Sequence, residues 1–288
     1  MPIKTILVPL DGTDGAQPVL DAAFAVAQHM NAHVEVIHVR ADSKNAVPLL
    51  GEGMSGAMIE EMIDLAEKES VSRAHKARAM FESACTRLSL PVVDTPPGPA
   101  GPSAAWIDET GREDEVTAQR GRLADLIVVA RPTADSDVTF RMTLNAAIRE
   151  TGRPVLVIPP GGAVAMGRRV GIAWNGSHEA SRAVRLAMSF VEAADEVFIL
   201  TAEGGGTRAV AASQLAAYLA WHGITAKTRT FEIADRAGGE DLLKECRELG
   251  VDLLMMGAYT QSRVRTLILG GVTSHVLGHA DLPVVMAR

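Results

Sequence analysis

The feature that most constrains this chain is an internal repeat. Short apolar runs alternate with longer helical patterns, stop at Pro159-Pro160-Gly161-Gly162, and start again. Three segments recur in the same order. Leu10-Asp11-Gly12-Thr13 returns as Trp174-Asn175-Gly176-Ser177. Ala124-Asp125-Leu126-Ile127-Val128-Val129 returns as Val251-Asp252-Leu253-Leu254-Met255-Met256. Arg153-Pro154-Val155-Leu156-Val157 returns as Leu282-Pro283-Val284-Val285-Met286. Such self-similarity means one supersecondary unit built twice. The 288 residues suffice for two domains of about 140 residues each. The expected domains are 1–160 and 165–288, with the Pro-Pro-Gly-Gly break as linker.

Within each repeat the periodicity alternates between strand and helix. The first half reads as strands at 6–8, 33–39, 104–107, 125–129 and 154–158. Between them lie helical patterns after Asp11, up to about Leu88, at 113–123 and at 140–150. Residues 91–102 carry five prolines, so no helix passes through them. The second half reads as strands at 170–174, 196–201, 226–233, 252–256 and 283–286. Its helices are expected from about Glu179, near 208–222 and 239–249, and within 262–279. The halves differ mainly in the second helix, which is longer in the first.

Strands separated by helices are joined by right-handed crossovers. The expected fold is therefore α/β: two tandem doubly wound half-domains, each a five-stranded parallel sheet with helices on both faces. Ligands of such sheets bind beyond the carboxyl ends of the strands, where strand order reverses. That singles out Asp11, Asn175 and the segments after Val129 and Met256.

Composition agrees. Apolar residues make up 47% of the chain but aromatics only 4%, which suits parallel strands covered by helices. The net charge of −7, with no basic run, speaks against nucleic-acid binding. No apolar run approaches the roughly 20 residues that span a bilayer, and no signal-peptide pattern follows Met1, so no membrane partner and a cytoplasmic location are expected. Cys85 and Cys246 share no CxxC spacing and read as small buried side chains in helices.

Several motifs carry less than they suggest. Gly51-Glu52-Gly53-Met54-Ser55-Gly56 matches GxGxxG literally, but it does not follow the first strand of its unit. Lys76, not an acid, stands in the region where the ribose carboxylate would be expected. It reads as a loop opening the long helix. His275 and His279 are four apart, yet no acid completes a metal-binding pattern, so no metal is expected. Trp106, Trp174 and Trp221 are expected to pack. No nucleophile-plus-base set appears, so no catalytic residue is named.

Three ordered features resemble the universal stress protein family over nearly the whole chain, twice. The first strand ends in an acid (Asp11) before a helix, a Gly-containing loop follows the fourth strand, and the last strand starts Pro-Val. ATP-binding members resemble Gly-x2-Gly-x9-Gly-Ser/Thr after strand four. In the second half Gly257 and Gly270 are in register with that pattern, Thr260 replaces the second glycine, and Gly271 stands at the hydroxyl position, followed by Val272 and Thr273. In the first half Ala130-Arg131-Pro132 and Thr143-Leu144-Asn145-Ala146 keep no glycine. Asp11 matches the family's ribose acid, and Asn175 replaces it in the second half.

The resemblance implies a regulatory stress protein whose second half holds ATP, ADP or AMP, with Mg²⁺ where ATP binds. Asn175, Gly257, Thr260, Gly270, Gly271, Val272 and Thr273 would form the site, with Asp11 in the first half. Glycines admit phosphate oxygens to the backbone, and a helix start favours an anion. Thr260 is expected to disfavour φ > 0, and Asn175 forgoes the charge-assisted bonds of a carboxylate, so binding would be weakened. Asp11, whose own half lacks the phosphate loop, reads first as a helix N-cap. Arg263 and Arg265 flank the loop and read as a solvated helix edge. The alternative is a non-nucleotide scaffold, or a site for another small ligand. Turnover would be slow or absent. The resemblance also implies that the last strands of the two halves run antiparallel across the centre, leaving another face for a homodimer.

Overall fold

The structure is a computed structural model that describes residues 2–13, 15–41, 56–96, 98, 100–133, 136–163, 166–203, 210–233, 238–259 and 271–288. The first half runs β1 (Thr5–Pro9), α1 (Ala16–Met30), β2 (His33–Arg40), α2 (Gly56–Leu88), β3 (Ser103–Thr110), α3 (Glu113–Gly121), β4 (Leu126–Ala130), α4 (Val138–Glu150) and β5 (Val155–Ile158). The second runs β6 (Arg169–Ala173), α5 (His178–Leu186), α6 (Met188–Ala193), β7 (Glu196–Ala202), α7 (Ala212–Trp221), β8 (Ala226–Phe231), α8 (Gly239–Glu248), β9 (Leu253–Gly257), α9 (Gly271–His279) and β10 (Val284–Ala287).

All ten strands form one sheet, in the order β3-β2-β1-β4-β5-β10-β9-β6-β7-β8. Every pairing is parallel except the central one. There β5 meets β10 antiparallel, with Val155 opposite Met286, Leu156 opposite Val285 and Val157 opposite Val284. These six side chains are at most 2% exposed. Both strands are apolar throughout, as strands covered on both faces must be. Helices α1, α2, α5, α6 and α7 enclose one continuous core, and α4, α8 and α9 another on the opposite face. Both cores run through both halves.

Each half anchors the start of its first strand in the same way. Asp125 accepts from the Lys4 and Thr5 amides at 2.9 and 3.0 Å. Asp252 accepts from the Gly167, Arg168 and Arg169 amides at 2.9, 3.2 and 3.0 Å. The recurring Asp is thus the polar clamp that aligns β1 with β4 and β6 with β9. At the outer edge, β8 carries Lys227 and Arg229, which bond to Glu196 and Glu245. Charge on an edge strand discourages further strand addition.

The structure departs from the sequence reading in four places. The helix expected from Glu179 is two helices, α5 and α6, broken at Ala187. β3 continues to Thr110. Trp221 does not pack: it is 91% exposed, because it ends α7 on the side away from the sheet. Asp11 does not cap α1, whose N-cap is Gly15 without a side-chain bond. Trp174, by contrast, is buried, and both cysteines are buried and free. Residues 51–55 of the GxGxxG match, and Arg263 and Arg265, lie outside the described residues. Among the described residues no helix is long and apolar enough to cross a membrane, and no group of metal-binding side chains occurs.

Leu156→Ala, at the central seam, is expected to cost about 2–5 kcal/mol. Urea denaturation followed by circular dichroism and by tryptophan fluorescence should show one coincident transition, shifted as a whole, since both cores span both halves. Two separated transitions would show that the halves fold independently.

Candidate functional site

The second half has a cavity of about 270 Å³ beyond the carboxyl ends of β6 and β9. This is the switch point of that half, since β6 pairs with β7 on one side and β9 on the other. Asn175, Gly257, Gly271, Val272 and Thr273, all singled out from the sequence, line it together. Thr260 and Gly270 lie outside the described residues. Leu200, Phe231, Leu242 and Met256 supply an apolar wall that the motif could not indicate. Trp174 also lines it, its indole N–H donating to the Val210 carbonyl at 2.7 Å.

The polar rim is built by two turns. Asn175 Oδ1 accepts from the Ser177 amide at 3.0 Å, and Ser177 Oγ caps α5 by accepting from the Ala180 amide at 3.2 Å. Gly176 between them has φ +69°, which favours glycine. A carbonyl oxygen has two lone pairs, so Asn175 keeps one acceptor site. Helix α9 starts at Gly271 with no acid in its first turn, and Gly271, Val272 and Thr273 line the cavity. Gly257 has a packing reason to be glycine. A Cβ there would lie 2.5 Å from the Ala180 amide nitrogen, where α5 begins.

The first half is built differently at the matching place. Asp11 Oδ1 accepts from the Thr13 amide and hydroxyl, both at 2.9 Å, in a turn that repeats the Asn175 turn. Above it lies α2, whose Arg73 carbonyl would be 2.3 Å from a Cβ on Gly12 (φ +75°). The long second helix therefore roofs the first-half cleft, and α7 has only ten residues by comparison. The N-terminus of α4 carries its own anion: Asp137 accepts from the Phe140 amide at 2.7 Å. Asp11, Glu69, Glu113 and Asp137 all line this cleft, with Arg73 among them. Glu113 was not foreseen. Burial of its carboxyl, then the nearby Asp11 carboxylate, push it up to about 7. Lys76, Arg112 and Arg131 line it as well, so its charges are mixed, but the helix N-terminus is already occupied by a carboxylate.

His275 and His279 stack at 4.3 Å, and His279 Nδ1 lies 2.9 Å from the His275 carbonyl, so the pair is engaged along its own helix.

The model of the Universal stress protein family matches residues 2–159 and 166–288. A universal stress protein of Synechocystis is 22% identical over 297 residues, covering 99% of this chain and all of that protein. Among solved structures, a universal stress protein from Archaeoglobus fulgidus aligns over 99% of this chain and 98% of its own, with a TM-score of 0.66 at 15% identity. A functionally unknown protein from Pseudomonas aeruginosa aligns over 99% of this chain and 92% of its own, with a TM-score of 0.55 at 13% identity. Structural likeness at these identities establishes the fold.

Glu113 makes stability depend on pH. Its acid is raised above the usual 4.5 to about 7 in the folded state. The folded protein then binds more protons than the unfolded chain between those values, so stability falls as pH rises through that window. Glu113→Gln should remove the loss, adding about 1–2 kcal/mol at pH 8 after allowance for partial exposure and nothing at pH 4. Thermal unfolding at both pH values checks this. Gly257→Ala should destabilise by about 1–3 kcal/mol through its clash with α5, measured by urea denaturation.

Proposed function

The chain belongs to the universal stress protein family, and from that premise we propose that its second half holds an adenine nucleotide in a regulatory rather than catalytic role. One observation carries the reading. Asn175, Gly257, Gly271, Val272 and Thr273 converge on one cavity at the switch point, with an acid-free helix start facing it. Base and ribose would sit against Phe231, Leu242 and Met256. The cavity's 270 Å³ is just below the range of about 300–1,000 Å³ typical of small-ligand sites, so phosphates would lie at its mouth, near Gly271. There the amides of a first helical turn and the helix dipole favour an anion. Asn175 would accept from a ribose hydroxyl. Mg²⁺ would accompany ATP through the phosphates. The first half, with Asp137 on its helix and Asp11 and Glu113 nearby, would bind no phosphate.

The apolar wall and the neutral Asn175 support a second reading, in which the cavity takes a different small ligand or the protein serves as a scaffold without nucleotide.

Thermal unfolding with millimolar ATP, ADP and AMP, each with and without Mg²⁺, separates the two. A ligand at 100 times its Kd stabilises by roughly 2.7 kcal/mol. Gly271→Asp puts on α9 the kind of carboxylate that Asp137 places on α4, and should abolish the shift while leaving unliganded stability intact. No shift for any nucleotide with the unaltered protein would transfer the proposal to the second reading.

A further inference from the structure

The two halves are pinned to each other at the residues that follow their fourth strands. In the second half, Gly257 ends β9, Ala258 follows, and Tyr259 turns the chain with φ +56°. A left-handed backbone is costly for a side chain of this bulk and persists only where surroundings hold it. The surroundings here belong to the other half. Tyr259 Oη donates to Asn145 Oδ1 of α4 at 2.6 Å. The Asn145 amide is itself oriented, since Nδ2 donates to the Arg141 carbonyl at 2.8 Å. The Arg149 guanidinium, one turn further along α4, lies 3.9 Å from the centre of the Tyr259 ring. Tyr259 is only 8% exposed.

A reverse contact exists. Arg131, just after β4, reaches across to the Leu277 and Gly278 carbonyls at the end of α9. A cation there is favourable to the helix dipole. Burial lowers the Arg131 pKa, and its Nε finds no hydrogen-bond partner among the described residues. The contact therefore contributes alignment more than stability.

We propose that Asn145 and Arg149 are positioning residues for the second-half cleft: they hold Tyr259 left-handed and so fix how the chain leaves Gly257 at its rim. The half without a phosphate loop thereby acts as the support of the half that keeps one. Gly257 lines the cavity, and Tyr259 lies two residues beyond it. A change at either end of this pin is transmitted between α4 and the cleft.

The test uses the full chain with Tyr259→Phe, Asn145→Ala and the double variant. Two measurements are made: ATP and AMP affinity by calorimetry, and amide hydrogen exchange of 253–259 without ligand. The affinity arm rests on the nucleotide reading, and the exchange arm does not. Each single variant should exchange roughly fivefold faster and bind roughly fivefold to tenfold more weakly. The double variant should be no worse than either single, because both remove one bond. If the unaltered protein binds neither nucleotide, the nucleotide reading fails and exchange alone decides. Exchange unchanged in both single variants overturns the proposal, as does nucleotide affinity unchanged in both.

Discussion

The antiparallel pairing of β5 with β10 is the constraint on which the rest of the structure depends. Each half ends in an apolar four-residue strand. Left alone, each would present a bare sheet edge with unpaired backbone groups and buried-type side chains. Joining them satisfies both edges at once and merges two five-stranded sheets into one. It also brings α4 and α9 close enough on one face for Tyr259 to reach Asn145 and Arg131 to reach Gly278.

The duplicated unit has diverged where chemistry would be done and not where the sheet is held. Asp125 and Asp252 perform the same clamp in both halves. Asp11 and Asn175 make the same turn. Beyond those turns the halves part. The first half lays α2 over its cleft and caps α4 with Asp137. The second leaves α9 free of acid and lines its cleft with apolar side chains. An acid at one helix start and none in the first turn of the other would make one half less suited to phosphate and leave the other open to it.

Much of this was legible in the residues. Strand runs such as 125–129 and 154–158 are continuous in apolar character because both faces are covered, and so they stand out. The switch-point argument singled out Asn175 and the segment after Met256, the family resemblance named Gly257, Gly271, Val272 and Thr273, and all five line one cavity. Other features left no local trace. Trp221 looked like a core residue, yet a ten-residue helix has one inward face and Trp221 is on the other. Asp11 looked like an N-cap, but α1 starts five residues later. Glu113 gave no signal, since its raised pKa comes first from burial and then from Asp11, about a hundred positions away in sequence.

The sequence by itself determined the repeat, the fold class and the elements that meet at each cleft, because these follow from periodicity and from the handedness of strand crossovers. Only the tertiary structure decided how the halves use each other. Whether Asn145 belongs to a lost site or supports its neighbour depends on a bond spanning 114 positions. Whether Gly257 serves packing depends on where α5 begins. Such distances arise when separate elements are packed together, and no local pattern in the chain encodes them.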